Sequence, residues 1–301
     1  MLPQLMNVER MQEKVYQRFL TPHFNPFDPL ELAKETEEVV TRSGLRGLER
    51  KYVGVYSAPV YGGIATGYAA GCCLRCIYCW SNWSRDFPEI LGKFYSPEEV
   101  AKKLFKAAEE GITSSGWQRF RSLKVNKLRL SGCEPTIGKE HLISLLRYVR
   151  RSKYPLFILE TNGILIGADR NYAQELAELT EKLYVRISFK AATPEGFTQR
   201  TGAIGEFYEL PFRAFRYLLD EGVHARAAAM TDPEIMSKEE REVLITRLSE
   251  IDQRISDDPN SLEEEEIDGY ETTMHRLRAA TDDGYTDKLE KKIAQQLHFD
   301  S

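Results

Sequence analysis

The chain's five cysteines are Cys72, Cys73, Cys76, Cys79 and Cys133, and four of them fall within eight residues. Disulfide frameworks spread their cysteines to close longer loops in secreted chains, so this clustering points to a metal instead. In the run Gly71-Cys72-Cys73-Leu74-Arg75-Cys76-Ile77-Tyr78-Cys79-Trp80, the residues Cys72, Cys76 and Cys79 have the spacing C-x3-C-x2-C. Thiolates are soft ligands that suit iron–sulfur clusters or zinc. A cubane cluster closed by protein wants four cysteines, and three leave one iron open to another ligand, as in a catalytic centre. Zinc would need Cys73 as a fourth sulfur. Adjacent cysteines do not readily reach one tetrahedral ion, and the five histidines are scattered without a second pair at ligand spacing. Cys73 therefore reads as a packed thiol.

This triplet, with an aromatic before its last cysteine and a strand before its first, resembles the signature of the radical S-adenosylmethionine (SAM) superfamily. Three further segments extend the resemblance over roughly residues 65–235. Ser131-Gly132-Cys133-Glu134-Pro135 is similar to the family's G-G-E-P motif, with Cys133 where the second glycine stands. Glu160-Thr161-Asn162-Gly163 and Ser188-Phe189-Lys190 resemble the D-T-N-G and D-L-K segments of pyruvate formate-lyase activating enzymes.

The resemblance implies one [4Fe–4S] cluster on Cys72, Cys76 and Cys79, with the methionine end of SAM on the open iron. It puts Tyr78 near the adenine, Gly132 and Cys133 close along SAM, and Glu134 on the SAM amino group. Asn162, Ser188 and Lys190 would face the ribose and carboxylate. It also implies an oxidoreductase that takes electrons from a ferredoxin- or flavodoxin-type donor. SAM would be cleaved to methionine and a 5′-deoxyadenosyl radical that abstracts hydrogen from substrate. The substrate stays open: a partner protein, as for a glycyl-radical activase, or a small metabolite or RNA. The alternative of a different class is a non-catalytic iron–sulfur or zinc module. Arg200, in Thr198-Gln199-Arg200-Thr201-Gly202, is a candidate substrate contact; the plainer reading is that it pairs with a surface acid.

These segments must be positioned by a scaffold. Asp28 and Pro29 begin a helix running toward Gly44, and Tyr52 to Ala70 reads as strand and hairpin. Strands at Lys127–Ser131, Leu156–Glu160, Tyr184–Ser188 and Val223–Met230 then alternate with apolar-striped helices, and a weak last strand lies within Glu265–Tyr270. Such alternation implies a parallel sheet with right-handed crossovers. The expected fold is α/β, a partial (β/α)6 barrel over residues 51–270. A helical extension covers residues 1–50 and a helical tail covers 271–301, where Leu289, Ile293 and Leu297 repeat at four-residue steps. Each chemistry-bearing segment follows a strand, so function should gather at the strands' carboxyl ends.

Composition adds exclusions. The 301 residues carry a net charge of −5. Residues 251–270 hold eight acids and one base, which reads as a solvated face or loop. No strongly basic footprint argues for nucleic acid. Trp117-Gln118-Arg119-Phe120-Arg121 could touch RNA, or be an amphipathic insert before the second strand. No apolar run reaches bilayer length and the first ten residues lack a signal-peptide core, so a soluble cytoplasmic protein without a membrane partner is expected. Trp80, Trp83 and Phe87 could shield a cluster or serve as ordinary core.

Overall fold

The computed structural model describes residues 16–299. Residues 1–15, part of the expected helical extension, lie outside them. Asp28 caps helix α1 (Pro29–Val40), accepting from the amides of Leu30 at 2.7 Å and Glu31 at 3.3 Å. The helix stops at Val40, short of Gly44, because Thr41–Gly44 is strand β1 and turns back into β2 (Gly47–Ala58). Residue 50 therefore lies inside a strand. β3 (Ile64–Ala69) pairs antiparallel with β2, and β4 (Lys93–Tyr95) pairs with the start of β2.

Six parallel strands follow in spatial order: β3, β5 (Lys127–Gly132), β6 (Leu156–Thr161), β7 (Leu183–Phe189), β8 (His224–Met230) and β9 (Glu263–Glu265). The crossovers are α2 (Pro97–Glu110), α3 (Lys139–Arg150), α4 (Ile164–Ala168) with α5 (Arg170–Ala177), α6 (Pro194–Thr201) with α7 (Glu209–Asp220), and α8 (Lys238–Ser249) with α9 (Arg254–Asp257). The expected partial barrel is the fold found. The short helix α6, which carries Arg200, had no signal in the hydrophobic pattern. Two helices close the chain, α10 (Glu271–Thr281) and α11 (Tyr285–Phe299).

Strand alternation divides the chemistry of the two sheet faces. Leu128, Leu130, Leu159, Val185, Ile187 and Ala227 are buried beneath helix residues such as Leu104, Leu145, Phe215 and Leu244. The alternate residues are polar and face inward. Arg129 donates to Thr66 and Glu160 at 3.0 Å each, and Arg186 donates to Glu263 and Glu265 at 2.8 Å each. Glu264 meanwhile pairs with Arg241. Most acids of the window are exposed, as a solvated face or loop would have it, but β9 turns Glu263 and Glu265 to the buried Arg186 at the barrel edge. Trp117 and Phe120 lie in a 3-10 turn packed on the main core, in keeping with an insert.

The tail docks where the sequence did not indicate. Leu289 and Ile293 of α11 and Ala279 of α10 join Phe19, Phe87 and Trp83 in a small separate core beside the cysteine loop. The side chain of Leu297 lies outside the described residues. No helix among the described residues is long and apolar enough to cross a membrane.

Candidate functional site at the carboxyl ends of the strands

The cysteine loop leaves β3 through Gly71, whose φ of +79° favours glycine. A Cβ there would stand 2.5 Å from Thr36 Cγ2 and 2.9 Å from Val40 Cγ1, so the loop passes directly under α1. Backbone bonds fix the rest. The Arg75 and Ile77 amides donate to the carbonyls of Thr201 and Arg200 at 2.9 Å each, and the Glu134 amide donates to Gly71 O at 3.0 Å. Arg50, nearly fully buried, ties three carbonyls together: Ala70 at 2.8 Å, Glu134 at 3.0 Å and Ile137 at 2.7 Å.

Cys73 and Cys76 are buried, and Cys72, Cys79 and Cys133 are half-buried. A hydrogen bond from Cys73 lowers the Cys72 thiol to about 7 against the opposing pull of burial, and the same bond, with burial, raises Cys73. Burial pushes Cys76 and Cys133 up to about 12. Cys79 Sγ is turned to Ser81 Oγ at 2.9 Å, and Cys72 Sγ accepts from the Leu74 amide at 3.4 Å. Among the described residues no three His, Cys, Asp or Glu side chains already stand as a metal site. What fits a cluster is the donor set, three thiols on one loop, and the charge around it. Arg75, Arg85 and Arg276 are all buried at this loop; Arg85 and Arg276 share the buried carboxylate of Asp86, while Arg75 is bonded to backbone carbonyls. Burying such a cationic surplus is costly without a compensating anion.

The other expected residues meet the loop from adjacent strands. Asn162, after β6, donates to Cys73 Sγ at 3.3 Å and approaches Cys72 Sγ at 3.8 Å. Gly132 ends β5 with φ +101°, where a Cβ would lie 2.8 Å from the Tyr68 ring and 2.9 Å from Ala69 O. Cys133 Sγ lies 3.4 Å from Ser84 Oγ. Glu134 is fully buried; its carboxylate accepts from Thr136 Oγ1 at 2.6 Å, Thr161 Oγ1 at 2.7 Å and the Asn162 amide at 2.8 Å. It braces the loops after β5 and β6. Lys190 Nζ donates to Ser188 Oγ and stands 5.8 Å from the centroid of the Tyr78 ring. The Tyr78 hydroxyl is buried with no hydrogen-bond partner among the described residues.

Arg200 is placed differently. It is buried, and donates to Ile235 O at 2.9 Å, Lys190 O at 3.1 Å and both carboxylate oxygens of Glu240. It pairs with an acid, as the plainer reading had it, although a half-buried rather than a surface one. Of the three tryptophan and phenylalanine candidates, Trp83 and Phe87 are core residues under the tail, while Trp80 is 41% exposed and meets Tyr68 edge-on. Sequence reasoning missed Arg50, Arg85, Asp86 and Arg276. Arg85-Asp86 carried a weak signal as adjacent opposite charges just past the cysteines, and Arg276 carried none.

The sequence model of the radical SAM superfamily matches residues 68–245. No curated protein matches the chain. Among solved structures, the chain is similar to a radical SAM methyltransferase from Sphaerobacter thermophilus, at 12% identity and a TM-score of 0.49, over 82% of this chain and 73% of that one. It is also similar to native anSMEcpe with bound AdoMet and Cp18Cys peptide, at 17% identity and a TM-score of 0.42, over 68% of this chain. The chain spans about half of that structure's length, 49%. At such identities and scores a shared substrate does not follow.

Proposed function

We propose, since the chain belongs to the radical SAM superfamily, whose enzymes use a [4Fe–4S] cluster and SAM, that Cys72, Cys76 and Cys79 are the cluster's protein ligands. When bound, the cluster and SAM supply a 5′-deoxyadenosyl radical for hydrogen abstraction. The observation that carries the assignment is a convergence: the cysteine loop, Gly132–Glu134, Asn162 and Ser188–Lys190 follow four adjacent parallel strands, and Asn162 reaches the loop's sulfurs.

In this reading Gly132 lets the backbone turn out of β5 along SAM, at a φ that favours glycine and where a Cβ would strike Tyr68 and Ala69 O. Glu134 Oε1 is taken by the Thr136 amide and the Thr136 and Thr161 hydroxyls, and Oε2, which accepts only the Asn162 amide, is the oxygen left for the SAM amino group. The unpartnered Tyr78 hydroxyl and Lys190 flank the nucleoside end and carboxylate. Cys133 lines the same space. Arg200 holds α6 to α8 through Glu240 and is not assigned to substrate. The inward-facing arginines and glutamates of β5, β6, β7 and β9 favour a substrate with polar groups. The finer reading, an activase acting on a partner protein with electrons from a ferredoxin- or flavodoxin-type donor, rests on residues 160–163 and 188–190 alone.

Anaerobic reconstitution with iron and sulfide, then SAM and dithionite, tests the proposal. The expected product is 5′-deoxyadenosine, lost in Cys76→Ala. A full cubane spectrum retained by Cys76→Ala would sink the ligand assignment.

A further inference from the structure

Each cysteine assigned to the cluster has its own backbone carbonyl held by a buried guanidinium. Arg75 donates to Cys72 O at 2.8 Å, Arg85 to Cys76 O at 2.6 Å and Arg276 to Cys79 O at 2.6 Å. The three arginines are 0%, 1% and 2% exposed. Arg276 goes further along the loop, donating to Ser81 O at 2.5 Å and Asn82 O at 3.0 Å. The buried carboxylate of Asp86 takes Arg85 on one oxygen and Arg276 on the other. Arg75 Nη2 and Arg276 Nε have no hydrogen-bond partner among the described residues. Glu134, a further buried carboxylate beside the loop, is occupied by Thr136, Thr161 and the Asn162 amide. The loop thus holds more buried positive charge than its own acids neutralise. A cubane on three thiolates is net negative, and becomes one charge more negative on reduction.

We propose that Arg75, Arg85 and Arg276 form a cationic clasp on the carbonyls of the cluster ligands, and that Arg276, from a helix beyond the family match, is a positioning residue that raises the cluster's reduction potential. The proposal rests on the ligand assignment above. Its physics is that cluster potential follows local net charge, hydrogen bonding and burial, which residues outside the ligand set can tune. The reduction adds one electron from a low-potential reductant to the cluster iron. No bond to the arginines forms or breaks, and their fixed charge favours the more negative state.

The test is a redox titration of the reconstituted full-length protein, poised with dithionite and dye mediators and read by the electron paramagnetic resonance of the reduced cluster. Arg276→Gln removes a charge and should lower the equilibrium constant for reduction about tenfold, roughly 59 mV toward the negative for a one-electron couple. Arg276→Lys keeps the charge and should recover most of that loss. Asp86→Asn removes the opposing carboxylate and should move the potential the other way. Opposite signs support the clasp, because loosening of the loop alone has no reason to reverse sign between the two variants. Shifts of the same sign, or none, overturn it while leaving the ligand assignment standing, provided the wild type holds about four irons. If the wild type takes up no cluster, both fall. Should Arg276→Gln not fold, the sign is read from Asp86→Asn alone: a rise supports the clasp, and a fall or no change overturns it.

Discussion

The two ends of the cysteine loop are secured by different parts of the molecule. At the Cys72 end the partners come from the barrel itself: Arg50 on β2, Glu134 after β5 and Asn162 after β6. At the Cys79 end they come from α10, where Thr273 and Arg276 reach the Cys79 carbonyl across 194 and 197 residues. The first end lies inside the matched stretch 68–245, apart from Arg50 and from Thr36 of α1, whose hydroxyl donates to Cys72 O at 3.4 Å; the second depends on residues beyond it. The matched stretch therefore carries part of the loop's support, and α1, β2 and α10 outside it carry the rest.

The most drastic way to break the comparison is to remove what both ends hold. Cys72→Ala, Cys76→Ala or Cys79→Ala should each abolish the cluster, whereas Cys73→Ala and Cys133→Ala should keep it, as read by iron content and absorbance. Next in size, Glu134→Ala attacks the Cys72 end alone. If Glu134 holds the SAM amino group as proposed, the variant loses a charge-assisted contact of about 1.5–3 kcal/mol, roughly a ten- to hundredfold loss of SAM affinity. It also leaves Thr136, Thr161 and the Asn162 amide without their acceptor, so the melting temperature should fall in the same protein. Calorimetry showing unchanged SAM binding would detach Glu134 from the cofactor and leave it purely a brace.

Acid should separate the two ends. His141 sits under the β2 side, with Nδ1 2.8 Å from Leu48 O and Nε2 3.1 Å from the Tyr52 hydroxyl. Burial lowers it from its ordinary 6.5 to about 4. Between those values the unfolded chain binds a proton that the folded chain refuses. Stability is therefore full above 6.5 and declines as pH falls toward 4, by about 3 kcal/mol in total. Asp86 behaves otherwise. Burial alone would raise its carboxyl, but Arg276 and Arg85 outweigh burial and hold it below the usual range. Its contribution persists until pH falls below ordinary carboxylate values. Urea midpoints at pH 7 and pH 5 should drop in wild type and drop less in His141→Gln; an equal drop in both would remove His141 as the cause.

The smallest test touches the Cys79 end. Thr273→Val deletes the hydroxyl that donates to Cys79 O at 3.2 Å, while Arg276 keeps that carbonyl bonded. About 0.5–1.5 kcal/mol of stability should go, with the cluster retained. Loss of the cluster in this variant would mean that α10 tolerates far less disturbance than its several guanidinium bonds suggest.

What could be read in the sequence follows the same division. The parallel strands from β3 to β8 were legible in their apolar residues, and the helices in their stripes and caps such as Ser96 and Asp28, because those signals are local. β9, three glutamates at 263–265, carried no apolar signal and lies just before the weak strand expected within Glu265–Tyr270. The cysteines, Gly132, Asn162 and Lys190 were legible as short motifs in order, each at the end of a strand. Arg200 stood in a turn-like segment whose helix is too short and polar to show a stripe, and its partner Glu240 lies forty residues on. Arg276 could not be found at all. It sits on a helix of mixed composition, and its significance exists only through contacts almost two hundred residues away. The acidic run reads correctly as mostly solvated, but composition reports only charge, and the pairing of β8 with β9 is what brings Glu263 and Glu265 to Arg186.

The separation between Cys79 and its clasp also sets a timetable. A chain emerging from the ribosome at about 5–20 residues per second exposes the cysteine loop roughly ten to forty seconds before Thr273 and Arg276 have been made. During that interval the barrel's own strands can assemble and hold the Cys72 end, but the Cys79 end has no tail to hold it. A nascent chain stalled before residue 271 presents all three thiols on a half-fastened loop. The carbonyl bonds from Thr273 and Arg276 thus reach the Cys79 end last, once α10 has been made.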